Sequence, residues 1–354
     1  MRPPPPGHRP RPQGAAAPRR PIPRRRPRNP RPPRAREEGD RQVSLNRFAY
    51  LGPEATFTEA ALLSFLDSRN LRDGASTHPM RNAAAALDSV LEGDCDAAVV
   101  PIENSLEGGV PATIDALTEH GRLQIIAEVV VPVRFVLAVK PGTTREEITT
   151  FGSHPHGEAQ VRAFMNENFP EAVYLPTSST AAAARDLAND AGDHVAAVCP
   201  ALAAQRYGLD VVAEDIGDRQ DAVTRFVVVT RPGPLPTPTG ADKTTIVAAL
   251  RSDRAGSLLE LLEQFSSRGV NMSRIESRPT GDGLGLYQFS IDLLGHIHEA
   301  RMAEALQGVH RAALKLHFLG SYPSSDGAVV PIDPTTSDES FTAAADWLES
   351  TLGG

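Results

Sequence analysis

The chain has 354 residues and a net charge of −8 at neutral pH, with 23% charged and 40% hydrophobic residues, enough for two or three domains around a sizeable core. The charge is unevenly placed. Residues 1–41 hold 13 Arg and 13 Pro against three acidic residues, so the rest carries −18, which argues against nucleic acid as the partner of the folded part.

The Pro–Arg arm, residues 1–43, has too few apolar residues to offset chain entropy and is expected to be disordered. It lacks the apolar core of a signal peptide, the serines of a transit peptide and any aromatic residue that could stack on a base. Only three lysines occur, Lys140, Lys243 and Lys315. That bias suggests a GC-rich genome in which untranslated sequence also reads as Pro and Arg, so Val43 is the expected true start. No apolar run reaches membrane-spanning length. Cys95 and Cys199 show no paired motif spacing, as in a reduced cytoplasmic enzyme.

From Phe48 onward short apolar strands alternate with helical segments, the pattern of an α/β sheet of mainly parallel strands. Phe48 to Leu51 reads as a strand and Gly52-Pro-Glu-Ala-Thr56 as a turn. Phe57, Ala60, Ala61 and Ser64/Phe65 then form one face of a helix. Asp96 to Pro101 is the next strand, and Glu103 to Gly109 turns it into a helix. Ile125 to Val131 and Phe135 to Lys140 read as buried strands flanking Pro132. Ser178-Ser-Thr180 caps a helix, and His194 to Cys199 is a short strand before another helix through Tyr207.

Arg231 to Gly240 is a Pro-rich spacer. Beyond it the pattern is βαββαβ: Thr244 to Leu250, helix 257–267, Ile275 to Arg278, Leu286 to Leu293, helix 299–313 and Lys315 to Ser321. Leu258, Leu261, Leu262 and Phe265 give the first of these helices a single apolar stripe, as in a ferredoxin-like module. The expected division is an arm at 1–43, a catalytic domain at 44–232, a linker at 233–242, the module at 243–322 and a polar tail at 323–354.

Four constellations carry candidate chemistry. Thr224-Arg225-Phe226 enters an apolar strand and places a hydroxyl beside a guanidinium. Glu103-Asn104-Ser105 sits on a strand-to-helix turn, where amide, hydroxyl and free N–H groups either receive a carboxylate or cap the helix. Ser153-His-Pro-His-Gly-Glu-Ala-Gln160 offers polar groups and two histidines, His154 and His156, without a third metal ligand at recognisable spacing. Thr56 stands at a helix start, as ligand or cap.

Together Asp221 to Phe226, Pro101 to Gly109 and Glu276-Ser-Arg-Pro279 resemble prephenate dehydratase, with agreement over residues 47 to 322. The resemblance implies a two-lobed catalytic domain of the periplasmic-binding-protein type II kind. It also implies conversion of prephenate to phenylpyruvate, water and CO2 without cofactor or metal. Thr224 is then the residue that polarises the departing ring hydroxyl, with Arg225 close by and Glu103 as candidate acid or ordinary ion-pair partner. Asn104, Ser105, Ser153, Gln160, Thr56 and Phe226 become candidates for substrate binding. The sequence departs from the family where Ala55 replaces a usual Gly, implying ordinary backbone there; where Val223 replaces a frequent Asn; and where His156 replaces a frequent Gln.

In the C-terminal module, Gly256-Ser257-Leu258 and Glu276-Ser277-Arg278-Pro279 resemble the ligand segments of the ACT regulatory domain. They imply L-phenylalanine as effector, held between two modules of a homodimer or homotetramer with Glu276 to Pro279 facing the partner's loop. The rival readings are arogenate dehydratase, acting on the amino analogue, and a non-catalytic protein that binds aromatic metabolites.

Overall fold

The computed structural model describes Met1 and residues 45–120, 122–252, 254–280 and 287–353. The Pro–Arg arm with Val43, and the Leu286 end of one expected strand, lie outside the described residues. The first lobe runs through β1 (Arg47–Leu51), α1 (Phe57–Ser68), β2 (Ser76–Met80), α2 (Ala83–Glu92), β3 (Ala97–Asn104), β4 (Gly108–Gly109), α3 (Pro111–His120) and β5 (Gln124–Pro132). The second holds β6 (Val136–Val139), β7 (Thr150–Ser153), α4 (Pro155–Ala159), α5 (Arg162–Asn168), β8 (Val173–Pro176), α6 (Thr180–Ala188), β9 (Ala196–Cys199), α7 (Ala201–Arg206) and β10 (Asp210–Ala213). Strand β11 (Val223–Thr230) then returns to the first lobe.

The first sheet has the order β2-β1-β3-β11-β5 with β4 on β3, and the second β10-β6-β9-β7-β8. Both are mixed, which corrects the expectation of mainly parallel strands. The returning strand β11 runs antiparallel to both β3 and β5, and β6 runs antiparallel to β9 and β10.

Side-chain alternation divides the first sheet into two cores. Phe48, Tyr50, Val99, Phe226 and Val228 face α1, whereas Ala49, Val100, Ile102, Val227 and Val229 face α2 and α3. On α1 the buried stripe is Ala61, Leu62, Phe65 and Leu66, and Ser64 is exposed. The leucine pair at i, i+4 sets the rotation of this helix, which corrects the expected Phe57/Ala60/Ser64 face. Strand β2 escaped the sequence reading because it is an exposed edge strand with a proline, Ser76-Thr-His-Pro-Met80.

Ala55 lies at φ +63°, in the left-handed region, so its backbone is not ordinary and that expectation is corrected. The surroundings hold it there: its N–H donates to the Glu59 carboxylate, and Arg206 of α7 grips Glu59 at 2.7 Å.

The C-terminal module comprises β12 (Asp242–Leu250), α8 (Ser257–Ser266), β13 (Met272–Pro279), β14 (Tyr287–Leu294), α9 (Ala300–Ala312) and β15 (Ala313–Pro323), followed by α10 (Asp338–Leu352). Its antiparallel sheet has the order β13-β14-β12-β15, as a ferredoxin-like βαββαβ chain requires. Leu261 and Phe265 bury the α8 stripe against Ile246, Phe289 and Ile291. The opposite face of this sheet packs on the first lobe. Val247, Leu319 and Tyr322 join its core, and Gly320 approaches so closely that a Cβ there would lie 2.2 Å from the Ile125 carbonyl oxygen.

Candidate active site

A cleft of about 910 Å³ opens between the two lobes, floored by apolar Leu51, Phe57, Val133 and Phe135. Phe57 and Phe135 meet edge to face with ring centroids 5.5 Å apart, a surface suited to a six-membered ring. Polar groups come from both lobes: Thr224, Asn104, Thr56 and Arg81 from the first, and Gln160, Ser179, Thr180 and Arg185 from the second. Thr56 and Ser179 are the N-caps of α1 and α6, accepting from Glu59 and Ala182 N–H groups. The positive ends of both helices therefore border the cleft.

Alternation along β11 turns Thr224 toward the cleft, and a bulge in β3 decides which residue stands opposite it. Strand β3 is paired with β11 at Arg225–Glu103 and then at Phe226–Pro101, so two residues of β3 oppose one of β11. The extra residue brings Asn104 to the same side as Thr224, and its Nδ2 donates to Thr224 Oγ1 at 2.9 Å. Asn104 Oδ1 in turn accepts from the N–H groups of Leu106 at 2.9 Å and Glu107 at 3.2 Å, which fixes the amide orientation. With an acceptor site of its oxygen occupied, the Thr224 hydroxyl is free to donate its proton into the cleft.

Of the residues singled out in the sequence, the fold brings Thr224, Asn104, Thr56 and Gln160 to the cleft. It turns Arg225 away. Alternation along β11 sends that side chain to the opposite face, where it is 7% exposed and bound by Glu128, Asp292, Glu103 and Tyr322. Glu103 follows it as an ion-pair partner at 3.3 Å, so the expected acid is not in the cleft. Phe226 is 2% exposed within the α1 core. Ser153 is fully buried and donates to the Val198 carbonyl, while exposed Ser105 accepts from Val223 N–H at 3.0 Å. These placements correct the expectation that the five line the cleft.

Arg81 and Arg185 were missed. Arg81 makes no ion pair among the described residues, and Arg185 is held by Asp186 at 2.8 Å. A signal existed for Arg81, an arginine directly before the cap Asn82 of an alanine-rich helix. His156 pairs with Glu107 at 3.0 Å. His154 also lines the cleft, where burial and then the neighbouring His156 lower its pKa. Among the described residues no group of three or more His, Cys, Asp or Glu side chains could hold a metal ion.

The Prephenate dehydratase family model matches residues 48–234, more than half of the chain, and the ACT domain model matches residues 244–311. The chain belongs to the prephenate dehydratase family. A prephenate dehydratase of Mycolicibacterium vanbaalenii is 44% identical over 315 residues, covering 86% of this chain and 98% of that protein. The crystal structure of an Arthrobacter aurescens prephenate dehydratase in complex with L-Phe superposes with a TM-score of 0.82 at 49% identity, covering 87% of this chain and all of that one. GqqA, described as a novel type of quorum quenching acylase, shares the fold at 29% identity and TM-score 0.70, covering 79% of this chain and 98% of its own. Membership makes this chain a lyase of phenylalanine biosynthesis with a C-terminal ACT domain.

In the ACT domain Gly256 caps α8 at φ +89° without a side-chain cap hydrogen bond among the described residues, and the Ser257 N–H donates to the Arg254 carbonyl at 3.1 Å. A cavity of about 270 Å³ adjoins it, lined by Leu250, Arg251, Ser252, Arg254, Ser257 and Glu260 among others. On β13 the residues alternate. Glu276 stands against Gly109, and Arg278 reaches Asp115 at 2.8 Å, both on the chain's own first lobe. That corrects the expectation that the whole Glu276 to Pro279 segment faces a partner. Ser277 and Pro279 are exposed, as is Ile275.

Proposed function

We propose that the cleft binds prephenate with its ring over Phe57 and Phe135 and its two carboxylates at Arg81, Arg185 and the N-termini of α1 and α6. Guanidinium groups suit carboxylates because two N–H donors match two oxygens. The ring hydroxyl then meets Thr224, whose proton is directed outward by the Asn104 contact. Loss of the ring carboxylate as CO2 returns its bonding pair to the ring, and the C–O bond breaks with its own pair. Aromatisation drives both steps. Thr224 stabilises charge on the leaving oxygen without itself giving up a proton for good. The proton that completes water comes from solvent in the open cleft.

The observation that carries this reading is the Asn104–Thr224 pair at the cleft wall. The test is phenylpyruvate formation by the purified chain, followed by absorbance. Wild type should turn over prephenate, and Thr224→Val should lower kcat on the order of a hundredfold or more with KM little changed. An unchanged rate in Thr224→Val would sink the assignment.

The proposed division is a catalytic domain at 44–232, a linker at 233–242, an ACT domain at 243–322 and a tail at 323–354. L-phenylalanine is the effector in this reading, its carboxylate on the N–H groups by Gly256 and Ser257, with Leu258 beside it. The small cavity, lined largely by polar residues, leaves the ring to a second module, so Ser277 and Pro279 of a partner complete the site in a homodimer or homotetramer. The L-Phe complex of the Arthrobacter relative supports this reading. In this reading the enzyme is cytoplasmic; no described helix is long and apolar enough to cross a membrane, and Cys95 and Cys199 are free and buried.

A further inference from the structure

Arg225 is the centre of a buried polar network that joins the catalytic sheet to the ACT sheet. Its Nε donates to Glu128 of β5 at 2.6 Å, its Nη1 to Asp292 of β14 at 2.5 Å, and its Nη2 to the Tyr322 hydroxyl of β15 at 2.9 Å. The ACT partners are themselves tied down. Thr245 of β12 bonds both Asp292 at 2.7 Å and Tyr322 at 2.6 Å, Arg274 of β13 donates to Asp292 at 2.8 Å, and Lys243 of β12 reaches Glu128 at 2.8 Å. All four strands of the ACT sheet thus hold Arg225 directly or through one neighbour. The residue before it on β11 is Thr224, and the β-bulge lies opposite Arg225 and Phe226.

We infer that Arg225 is a positioning residue through which the ACT sheet sets the Thr224 hydroxyl, so that the effector acts on the cleft through this one strand. The inference rests on Thr224 as polariser and L-phenylalanine as effector. Buried charged partners in a fixed fork geometry allow few intermediate arrangements. A shift of the ACT sheet carries Asp292 and Tyr322 with it, and the guanidinium must follow or lose its bonds. Thr224 shares a peptide unit with Arg225, so its Oγ1 moves relative to Asn104 and the substrate oxygen. Coupling requires two arrangements that differ both in affinity for effector and in the placement of Thr224.

The experiment uses the full chain and the variants Arg225→Lys, Tyr322→Phe and Thr224→Val. In each, kcat and KM for prephenate are measured with and without saturating L-phenylalanine, and effector binding is measured by calorimetry. Arg225→Lys should lower kcat about tenfold or more with KM within about twofold, the pattern of a lost transition-state interaction. Tyr322→Phe removes one hydroxyl and keeps the packing. It should bind L-phenylalanine as wild type does, yet the ratio of kcat without and with effector should fall at least about fivefold, the lower end of ordinary coupling. If Arg225→Lys fails to fold, Tyr322→Phe decides alone, because a merely structural role would leave that ratio unchanged.

Wild-type ratios in Tyr322→Phe, or a raised KM with unchanged kcat in Arg225→Lys, overturn the inference while leaving the functional reading intact. Full activity in Thr224→Val, or no response of wild type to L-phenylalanine, overturns that reading and this inference with it.

Discussion

Thr224 and Arg225 are consecutive on β11 yet serve opposite faces of the sheet: Thr224 Oγ1 accepts from Asn104 at 2.9 Å, while Arg225 Nη1 donates to Asp292 at 2.5 Å. One strand therefore presents its hydroxyl to the cleft and its charge to the ACT domain. The division follows from the two-residue period of a strand.

Asn104→Ala should reveal how far the hydroxyl depends on its neighbour. Without the Nδ2 donor, Thr224 can turn its proton elsewhere, and kcat should fall about tenfold to a hundredfold with a smaller change in KM. Steady-state kinetics on prephenate checks this; unchanged kcat would mean that Asn104 only ties the turn through Leu106 and Glu107.

Arg81→Gln and Arg185→Gln separate binding from chemistry. Each removes a charge-assisted contact worth roughly 1.5–3 kcal/mol, so KM should rise about tenfold or more while kcat is largely kept. Raising the salt concentration should weaken wild-type binding in the same direction. A variant with wild-type KM would remove that arginine from the site.

Gly320→Ala tests the docking of the ACT sheet. At φ +148° and with a Cβ 2.2 Å from the Ile125 carbonyl oxygen, the substitution has only backbone to push against. It should destabilise the protein by at least about 2 kcal/mol, read as a lower denaturant midpoint. Gly109→Ala is the milder case, because the obstructing group is the flexible Glu276 side chain.

Acid should weaken the interdomain network before it reaches the apolar cores. Burial acts to raise the Asp292 and Glu128 carboxyls, but Arg225 with Arg274, and Arg225 with Lys243, outweigh it and hold both below the usual carboxylate range. Groups with depressed folded-state pKa contribute stability that is complete above the unfolded value and is lost as pH falls through the folded one. Stability should therefore hold from pH 7 to about 5 and decline below about 4. Asp292→Asn should flatten that decline, as denaturant unfolding at several pH values would show.

Much of this protein was determined by sequence alone. The longer apolar runs mark several buried strands but not the exposed edge strand β2, the βαββαβ order specifies the C-terminal module, and Thr224 and Asn104 were marked as candidates by the family resemblance of their segments rather than by residue type alone. What the sequence could not decide was which face of a strand meets substrate. The bulge opposite Arg225 leaves no mark in residue type, and it alone aligns Asn104 with Thr224 across 120 positions. Arg225 reads equally well as a substrate clamp or as a buried tie until Asp292 and Tyr322, far along the chain, are packed against it. Local pattern specifies a side chain's period, but its partner is set by which sheet the folded chain lays over that face.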